Sequence, residues 1–247
     1  MDRVTIRVLG CGDAFGSGGR LQSCFLVTSK ASACLLDCGA TALVAMRRFA
    51  IDPGRIDAIF LSHLHGDHFA GVLFLLLEQH FIAKRDQPLL IAGPVGTEER
   101  VQAALDVFFP GAAELAWRFQ LRFAELSPGR TALFGDFAIT PHVVAHPSGS
   151  PALAFRLETG KRLIAYSGDT AWTDSLLEVA CDADLFIVEC YSYDGAAKHH
   201  MNYKTLRANL AKLRSKRLLL THLGREMLER LSEVDLEIAE DGQVLEL

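Results

Sequence analysis

The stretch Phe60-Leu61-Ser62-His63-Leu64-His65-Gly66-Asp67-His68-Phe69-Ala70-Gly71 constrains this chain more than any other. Three histidines and one aspartate fall within six positions, directly after an apolar run, Ile56 to Leu61, that reads as a buried strand. Imidazole and carboxylate suit zinc and similar divalent ions. His63 and His65 alternate as strand-end residues do, so their side chains can point to one side. Asp67 and His68 fall where the chain turns into a helix predicted over Ala70 to Gln79, and can reach a second metal. A lone histidine here would read as a satisfied surface or core residue. Four ligand-type side chains this close together do not.

Three later residues each stand just beyond a predicted strand: His146 in Val143-Val144-Ala145-His146-Pro147, Asp169 in Tyr166-Ser167-Gly168-Asp169-Thr170, and His222 in Leu219-Leu220-Thr221-His222-Leu223. Polar residues at strand ends converge where strands open onto a common rim, a place where metal sites are built. His142 competes with His146; the proline after His146 and its spacing to Asp169 favour His146. A further stretch, Phe186-Ile187-Val188-Glu189-Cys190, is followed by Lys198-His199-His200-Met201-Asn202-Tyr203. Taken alone, that histidine pair reads as a surface feature capping a helix.

The H-x-H-x-D-H pattern resembles the metal-binding motif of the metallo-β-lactamase superfamily, and the later residues complete its set of seven ligands. The resemblance implies two divalent ions, zinc first, with manganese or iron also compatible. His63, His65 and His146 would hold one; Asp67, His68 and His222 the other; Asp169 would bridge them. Such a pair polarises the electrophile and generates a hydroxide nucleophile near neutral pH. Asp67 is counted among the catalytic residues as well as the ligands.

The Glu189 and His200 stretches resemble the RNase Z-like branch, including phosphodiesterases that act on cyclic phosphates. There an acid after a strand orients a histidine, which protonates the leaving oxygen of a phosphodiester. Glu189 and His200 fill those positions, with His199 the weaker candidate. Gly12-Asp13-Ala14-Phe15, Ser167-Gly168-Asp169-Thr170 and Thr221-His222 also fit. RNase Z grips tRNA with a flexible arm, but the 22 residues between His146 and Asp169 are taken up by two strands and their turn. Leu223-Gly224-Arg225-Glu226 also departs from the Ser-x-Arg-Tyr usual after the last ligand. The expected substrate is therefore a small or cyclic phosphodiester, not structured tRNA.

Half of the 247 residues are hydrophobic, enough to bury a sizeable core, and the net charge of −5 gives no general attraction to nucleic acid or acidic membranes. No uncharged apolar run approaches membrane-spanning length, and Met1-Asp2-Arg3-Val4-Thr5 lacks a signal-peptide pattern. The six cysteines contain no C-x-x-C pair and read as free thiols of a reducing cytoplasm, with Cys38 close enough to the site in sequence to be of interest. Gly10 to Gly19 lacks dinucleotide-binding spacing and reads as an active-site loop, with a plain hairpin connection equally compatible with its composition.

Further strands are predicted at Val4 to Gly10, Ser23 to Thr28, Ala33 to Asp37, Pro88 to Ala92, Phe119 to Leu126, Ala132 to Thr140, Ala152 to Glu158, Arg162 to Tyr166, Leu185 to Glu189 and Leu218 to Thr221. Helices are predicted at Ala40 to Phe49, Thr97 to Phe109 with Thr97 as the N-cap, Leu176 to Ala180 and Tyr203 to Lys212. These elements are expected to make one α/β (α+β) domain over residues 1–247: an αββα sandwich of two mixed β-sheets flanked by helices, which is the metallo-β-lactamase fold that the resemblance implies.

Alternatives are a lactonase or thioesterase using the same metals, an arm-less RNase Z-like nuclease, and a metal- or RNA-binding module with a retired site. Glu189 and His200 argue against carbonyl hydrolysis, because a good leaving group needs no dedicated acid. The intact ligand set argues against retirement. Redox chemistry is disfavoured, since the superfamily's diiron reductases have an acid where this chain has His65. A homodimer is common among relatives of this kind, and no membrane partner is expected.

Overall fold

The computed structural model describes residues 3–195 and 198–247. Met1 and Asp2, part of the stretch read for a signal sequence, lie outside them. The first run of strands is β1 (Thr5–Gly10), β2 (Cys24–Thr28), β3 (Ala33–Leu36), β4 (Ala58–Phe60), β5 (Leu89–Gly93) and β6 (Leu121–Glu125). The second is β7 (Ala132–Phe134), β8 (Phe137–Pro147), β9 (Pro151–Thr159), β10 (Arg162–Tyr166), β11 (Leu185–Glu189), β12 (Leu218–Thr221) and β13 (Glu237–Ile238); β14 (Val244–Glu246) then returns to pair with β1. Among the described residues each sheet has seven strands, in the orders β14-β1-β2-β3-β4-β5-β6 and β13-β12-β11-β10-β9-β8-β7. Both are mixed: β3 to β6 run parallel, as do β10 to β13.

Three apolar layers hold the αββα stack together, and strand alternation explains them. Val8, Phe25, Phe60, Phe137, Phe155, Tyr166, Ile187 and Leu219 fill the space between the sheets. The opposite faces of the first sheet's strands, such as Leu35, Ile59 and Ile91, pack on helices α1 (Ala42–Arg48), α3 (Gly71–Phe81) and α4 (Thr97–Phe108). Phe186, Val188 and Leu220 do the same for the second sheet, against α5 (Ser175–Ala180) and α6 (Tyr203–Asn209). Strands covered on both faces read as unbroken apolar runs.

The structure corrects several boundaries. The helix predicted from Ala70 begins earlier, as a single turn α2 (Gly66–Phe69), with Ala70 at the junction to α3, so Asp67 and His68 are helical. Thr97 is not the N-cap of α4. Gly96, in the left-handed region at φ 84°, takes that position, and the Thr97 hydroxyl donates to the Pro94 carbonyl at 2.6 Å. The strand predicted over Ala132 to Thr140 is a hairpin turning at Gly135 (φ 61°) and Asp136, where Phe134 pairs with Phe137. β8 continues to Pro147, so His146 lies within a strand and not beyond one. Helix α7 (Arg225–Glu229), β13 and β14 follow His222, where no element was predicted.

Candidate metal centre

Parallel strands share a direction, so their carboxyl ends open on one rim, where open α/β sheets place their sites. β4 delivers His63 and His65 to that rim and α2 delivers Asp67 and His68. From the facing sheet, β10 delivers Asp169, β11 Glu189 and β12 His222. Backbone packing brings the first group close. The Gly71 N–H donates to the Cys38 carbonyl at 2.9 Å, and a Cβ on Gly71 would collide with the Gly39 carbonyl. A Cβ on Gly39 would likewise strike the Asp67 carbonyl.

His146 arrives by a register break. Up to Val143, β8 pairs regularly with β9, and the register shifts between Val143 and Pro147. Past the shift Ala145 leaves β9 and bridges to Ala171, and its N–H donates to the Thr170 hydroxyl at 3.0 Å. Residues four apart on a regular strand face the same way; here the bulge separates them. His146 turns to the rim, while His142 lies 3.6 Å from Glu178 of α5.

The seven residues singled out as ligands fall into two groups, His63, His65 and His146, and Asp67, His68, Asp169 and His222; within each, the ligand atoms lie within 4.8 Å of one another. Asp169 stands between the groups. Its Oδ2 is 3.9 Å from His63 Nε2, 3.9 Å from His146 Nε2 and 3.3 Å from His222 Nε2, and its Oδ1 is 3.2 Å from His68 Nε2. His200 Nδ1 lies 3.1 Å from Glu189 Oε2 and 3.8 Å from Asp169, and the three residues His146, Asp169 and His200 form another close group. His199 offers only its carbonyl, 3.0 Å from His146 Nδ1. Cys38 is buried, and its N–H donates to the His68 carbonyl at 2.7 Å; it supports backbone and its thiol is outside the ligand groups.

These side chains fit a pair of divalent ions. His63 Nε2 and His68 Nε2 are buried without a hydrogen-bond partner, although carboxylate oxygens lie 3.2 Å from the latter. Nitrogens placed beside oxygens but not bonded to them suit a cation between them, whereas an orphaned buried nitrogen is costly. The protonation pattern agrees. Burial, with His68 beside it, holds His63 well below its ordinary value, and burial lowers His222 and His146. Burial alone would raise Asp169, but the neighbouring His222 and His68 hold it well below the carboxylate range. Neutral imidazoles and ionised carboxylates are what a metal requires. His68 is the exception: burial opposes its charge, yet Asp169, Asp67 and Asp37 together raise it well above its ordinary value.

Sequence reading missed Asp37. Fully buried and in the left-handed region at φ 57°, it accepts from Ser62 N–H (2.7 Å), Ser62 Oγ (2.7 Å) and Tyr166 Oη (2.6 Å), and its Oδ2 lies 2.7 Å from His68 Nδ1. It fixes the tautomer and orientation of His68 as carboxylates behind metal-binding histidines do. Its position just after a buried strand was a usable signal. Tyr166 and Ser23, whose Oγ lies 3.3 Å from His222 Nδ1, carried none, because their roles depend on how the sheets face each other.

A two-sheet αββα sandwich with this His and Asp cluster on its rim defines a metal-dependent hydrolase of the metallo-β-lactamase fold. Residues 4–245 match the family model described as Anti-Pycsar protein Apyc1, and the chain belongs to that family. It is 28% identical over 226 residues to the probable metallo-hydrolase YhfI of Bacillus subtilis, covering 89% of this chain and 87% of that one. The crystal structure of YhfI superposes with a TM-score of 0.80 over 100% of both chains at 27% identity. Human tRNase Z, short form, superposes with a TM-score of 0.77 at 25% identity, covering 98% of each chain. No helix among the described residues is long and apolar enough to cross a membrane.

Proposed function

We propose that the protein is a phosphodiesterase that hydrolyses a small or cyclic phosphodiester, with a cyclic nucleotide as the favoured substrate. The observation that carries this reading is the Glu189–His200 pair, 3.1 Å apart beside Asp169. Alkoxide is a poor leaving group and needs a proton in the transition state, which a histidine held by a carboxylate can donate. Burial alone would lower His200, but the hydrogen bond and charge of Glu189 outweigh it and raise it, favouring the proton-carrying form. Membership of the Apyc1 family supports the cyclic-nucleotide assignment.

In this reading His63, His65 and His146 hold one divalent ion, Asp67, His68 and His222 hold the second, and Asp169 serves both. When bound, the ions polarise the phosphoryl group and activate water near neutral pH. Zinc suits a set of imidazoles and carboxylates, with manganese or iron as the alternatives. The residues do the rest: Asp37 and Ser23 hold the rings of His68 and His222, and Glu189 orients His200. β9 and β10 fill the chain between His146 and Asp169, so an arm for tRNA is not proposed there. A reducing cytoplasm is the proposed compartment, and a homodimer is the proposed assembly.

The test is a screen at controlled metal content, comparing 2′,3′- and 3′,5′-cyclic nucleotides, ribosyl cyclic phosphates and an aryl diester with a lactone, a thioester and precursor tRNA. Turnover concentrated on the small diesters is expected. Preferential lactone or thioester hydrolysis, or site-specific cleavage at a tRNA 3′ end, would reject the reading.

A further inference from the structure

The loop between β1 and β2 is tied to both sides of the second ligand group. On one side the His222 N–H donates to the Cys11 carbonyl at 2.9 Å, and Gly12 bridges to Leu223. On the other, Gln22 Nε2 donates to the Ala14 carbonyl at 3.0 Å, and the Gln22 stem lies against Gly39, whose α-carbon packs on the Asp67 carbonyl. Gly18 rests on Leu228 of α7. The tip is fixed from within: Asp13, buried, accepts from the Phe15 N–H at 3.2 Å, the Ser17 N–H at 2.8 Å and the Ser17 hydroxyl at 2.7 Å.

This well-held turn displays a phenyl ring in water. Phe15 is 84% exposed, more than any other large apolar residue described. Phe81, Val107 and Phe108, also exposed, lie on or just beside the outer helices α3 and α4, away from the rim. Tyr191, just past β11, is already packed, with ring centroids 4.9 Å from His200 and 6.2 Å from His222. Phe15 is therefore an aromatic face, free to receive a flat group, on a loop whose backbone is tied to His222.

We infer that Phe15 is the platform on which the nucleobase of the substrate stacks, which makes it a specificity determinant for base-bearing phosphodiesters. This rests on the phosphodiesterase reading above. Stacking on an aromatic ring tolerates every base, because each has a π-face. The enzyme should therefore demand a base while discriminating little among bases.

The experiment measures kcat and KM with the metal-loaded enzyme for four 3′,5′-cyclic nucleotides and for a ribosyl cyclic phosphate without a base. The readout is the ratio of kcat/KM for each nucleotide to that for the abasic compound. Phe15→Ala should lower this ratio by about 5- to 100-fold, through KM and not kcat, the range expected for one base–aromatic stack. Phe15→Tyr should retain it, and Phe15→Leu, apolar but without a flat face, should fall between. An unchanged ratio in Phe15→Ala, or a Phe15→Leu variant equal to wild type, would overturn the inference. So would a wild-type enzyme that turns over the abasic compound as well as the nucleotides, which would leave the phosphodiesterase reading standing. Hydrolysis of none of these diesters, with turnover of a lactone or thioester, would remove that reading and this inference together.

Discussion

The two rims of the site are encoded in opposite ways. On the first sheet, His63, His65, Asp67 and His68 come from six consecutive positions, and β4 with the single turn of α2 suffices to aim them. On the second, His146, Asp169, Glu189, His200 and His222 arrive one at a time, each from a different strand or loop spread over 77 positions. The first rim is a local motif stiffened by the Asp37 hydrogen bonds. The second exists only because β8 to β12 pair in the right order and β8 breaks register before His146. A local motif can survive in a misassembled chain, whereas a topological one reports that the sandwich has closed. Asp169 joins them, and variants there and around it test the contrast.

Asp169→Ala should have the largest effect, because Asp169 lies between both ligand groups. Activity should be lost together with the metal pair, measured as metal per chain by elemental analysis. Full occupancy with full activity would show that the two rims do not depend on this residue. Chelation of the wild-type protein should give the same loss, restored by divalent metal, and the local rim should retain its fold as judged by near-ultraviolet circular dichroism.

His200→Ala comes next and acts on the second rim alone. Both metals should remain, while hydrolysis of diesters with alkoxide leaving groups should fall by about 10²–10⁴-fold, the usual worth of general acid catalysis. An aryl diester leaves as a stable phenolate and should suffer much less. The ratio of the alkyl to the aryl penalty at matched metal content is the measurement. A ratio near one would reject proton donation, and metal loss would instead place His200 with His146 and Asp169 in a coordination shell.

The same contrast explains what could be read before the structure. The four clustered residues of the first rim were legible because their spacing is meaningful without knowing the fold, and the strand ends carrying Asp169 and His222 were legible as apolar runs stopping at a polar residue. His146 was singled out although its setting was misread: it sits past a bulge inside β8, and a shift of register leaves no mark in hydrophobic periodicity. Asp37 was missed despite standing at a strand end, because one acid after Leu36 looks like any turn until Ser62, His68 and Tyr166 converge on it. Tyr166, an ordinary core residue by pattern, could not have been recognised, since its hydroxyl meets Asp37 only across the two sheets. The late strands β13 and β14 were missed because they are two and three residues long.

Asp37→Asn sharpens the comparison from the other side, since Asp37 stiffens the local rim while touching Tyr166 of the facing sheet. It keeps the shape but removes the charge behind His68. Partners of this kind typically cost about 10–100-fold in metal affinity or activity when altered. The loss should appear as weaker metal binding in a competition titration, with activity recovered at high metal concentration. Tyr166→Phe, which removes only the cross-sheet donor, should cost less. If Tyr166→Phe were the more damaging of the two, the cross-sheet contact would outrank the local one.

Glu189→Gln should give the smallest effect. Glu189 is fully buried; burial, together with the Asp169 charge, pushes its carboxyl up, against the opposing pull of His200 and the Thr170 N–H, which hydrogen-bond its ionised form. One oxygen accepts the Thr170 N–H and the other faces His200 Nδ1. Glutamine has one acceptor oxygen where glutamate has two. If that oxygen stays on the Thr170 N–H, the amide nitrogen faces His200 Nδ1 and favours the neutral ring with its proton on Nε2. Such a ring can still reach the leaving oxygen, but donating from it produces an imidazolate in place of a neutral imidazole, so it is a poorer acid. Losing a hydrogen bond to a charged group is worth about 1.5 kcal/mol at the low end, roughly tenfold in rate. The loss should follow the alkyl-over-aryl pattern of His200→Ala at reduced size, with metal content unchanged. A loss as large on aryl as on alkyl diesters would mean that Glu189 acts through Thr170 on the placing of Asp169, and would move it from orienting the acid to building the second rim.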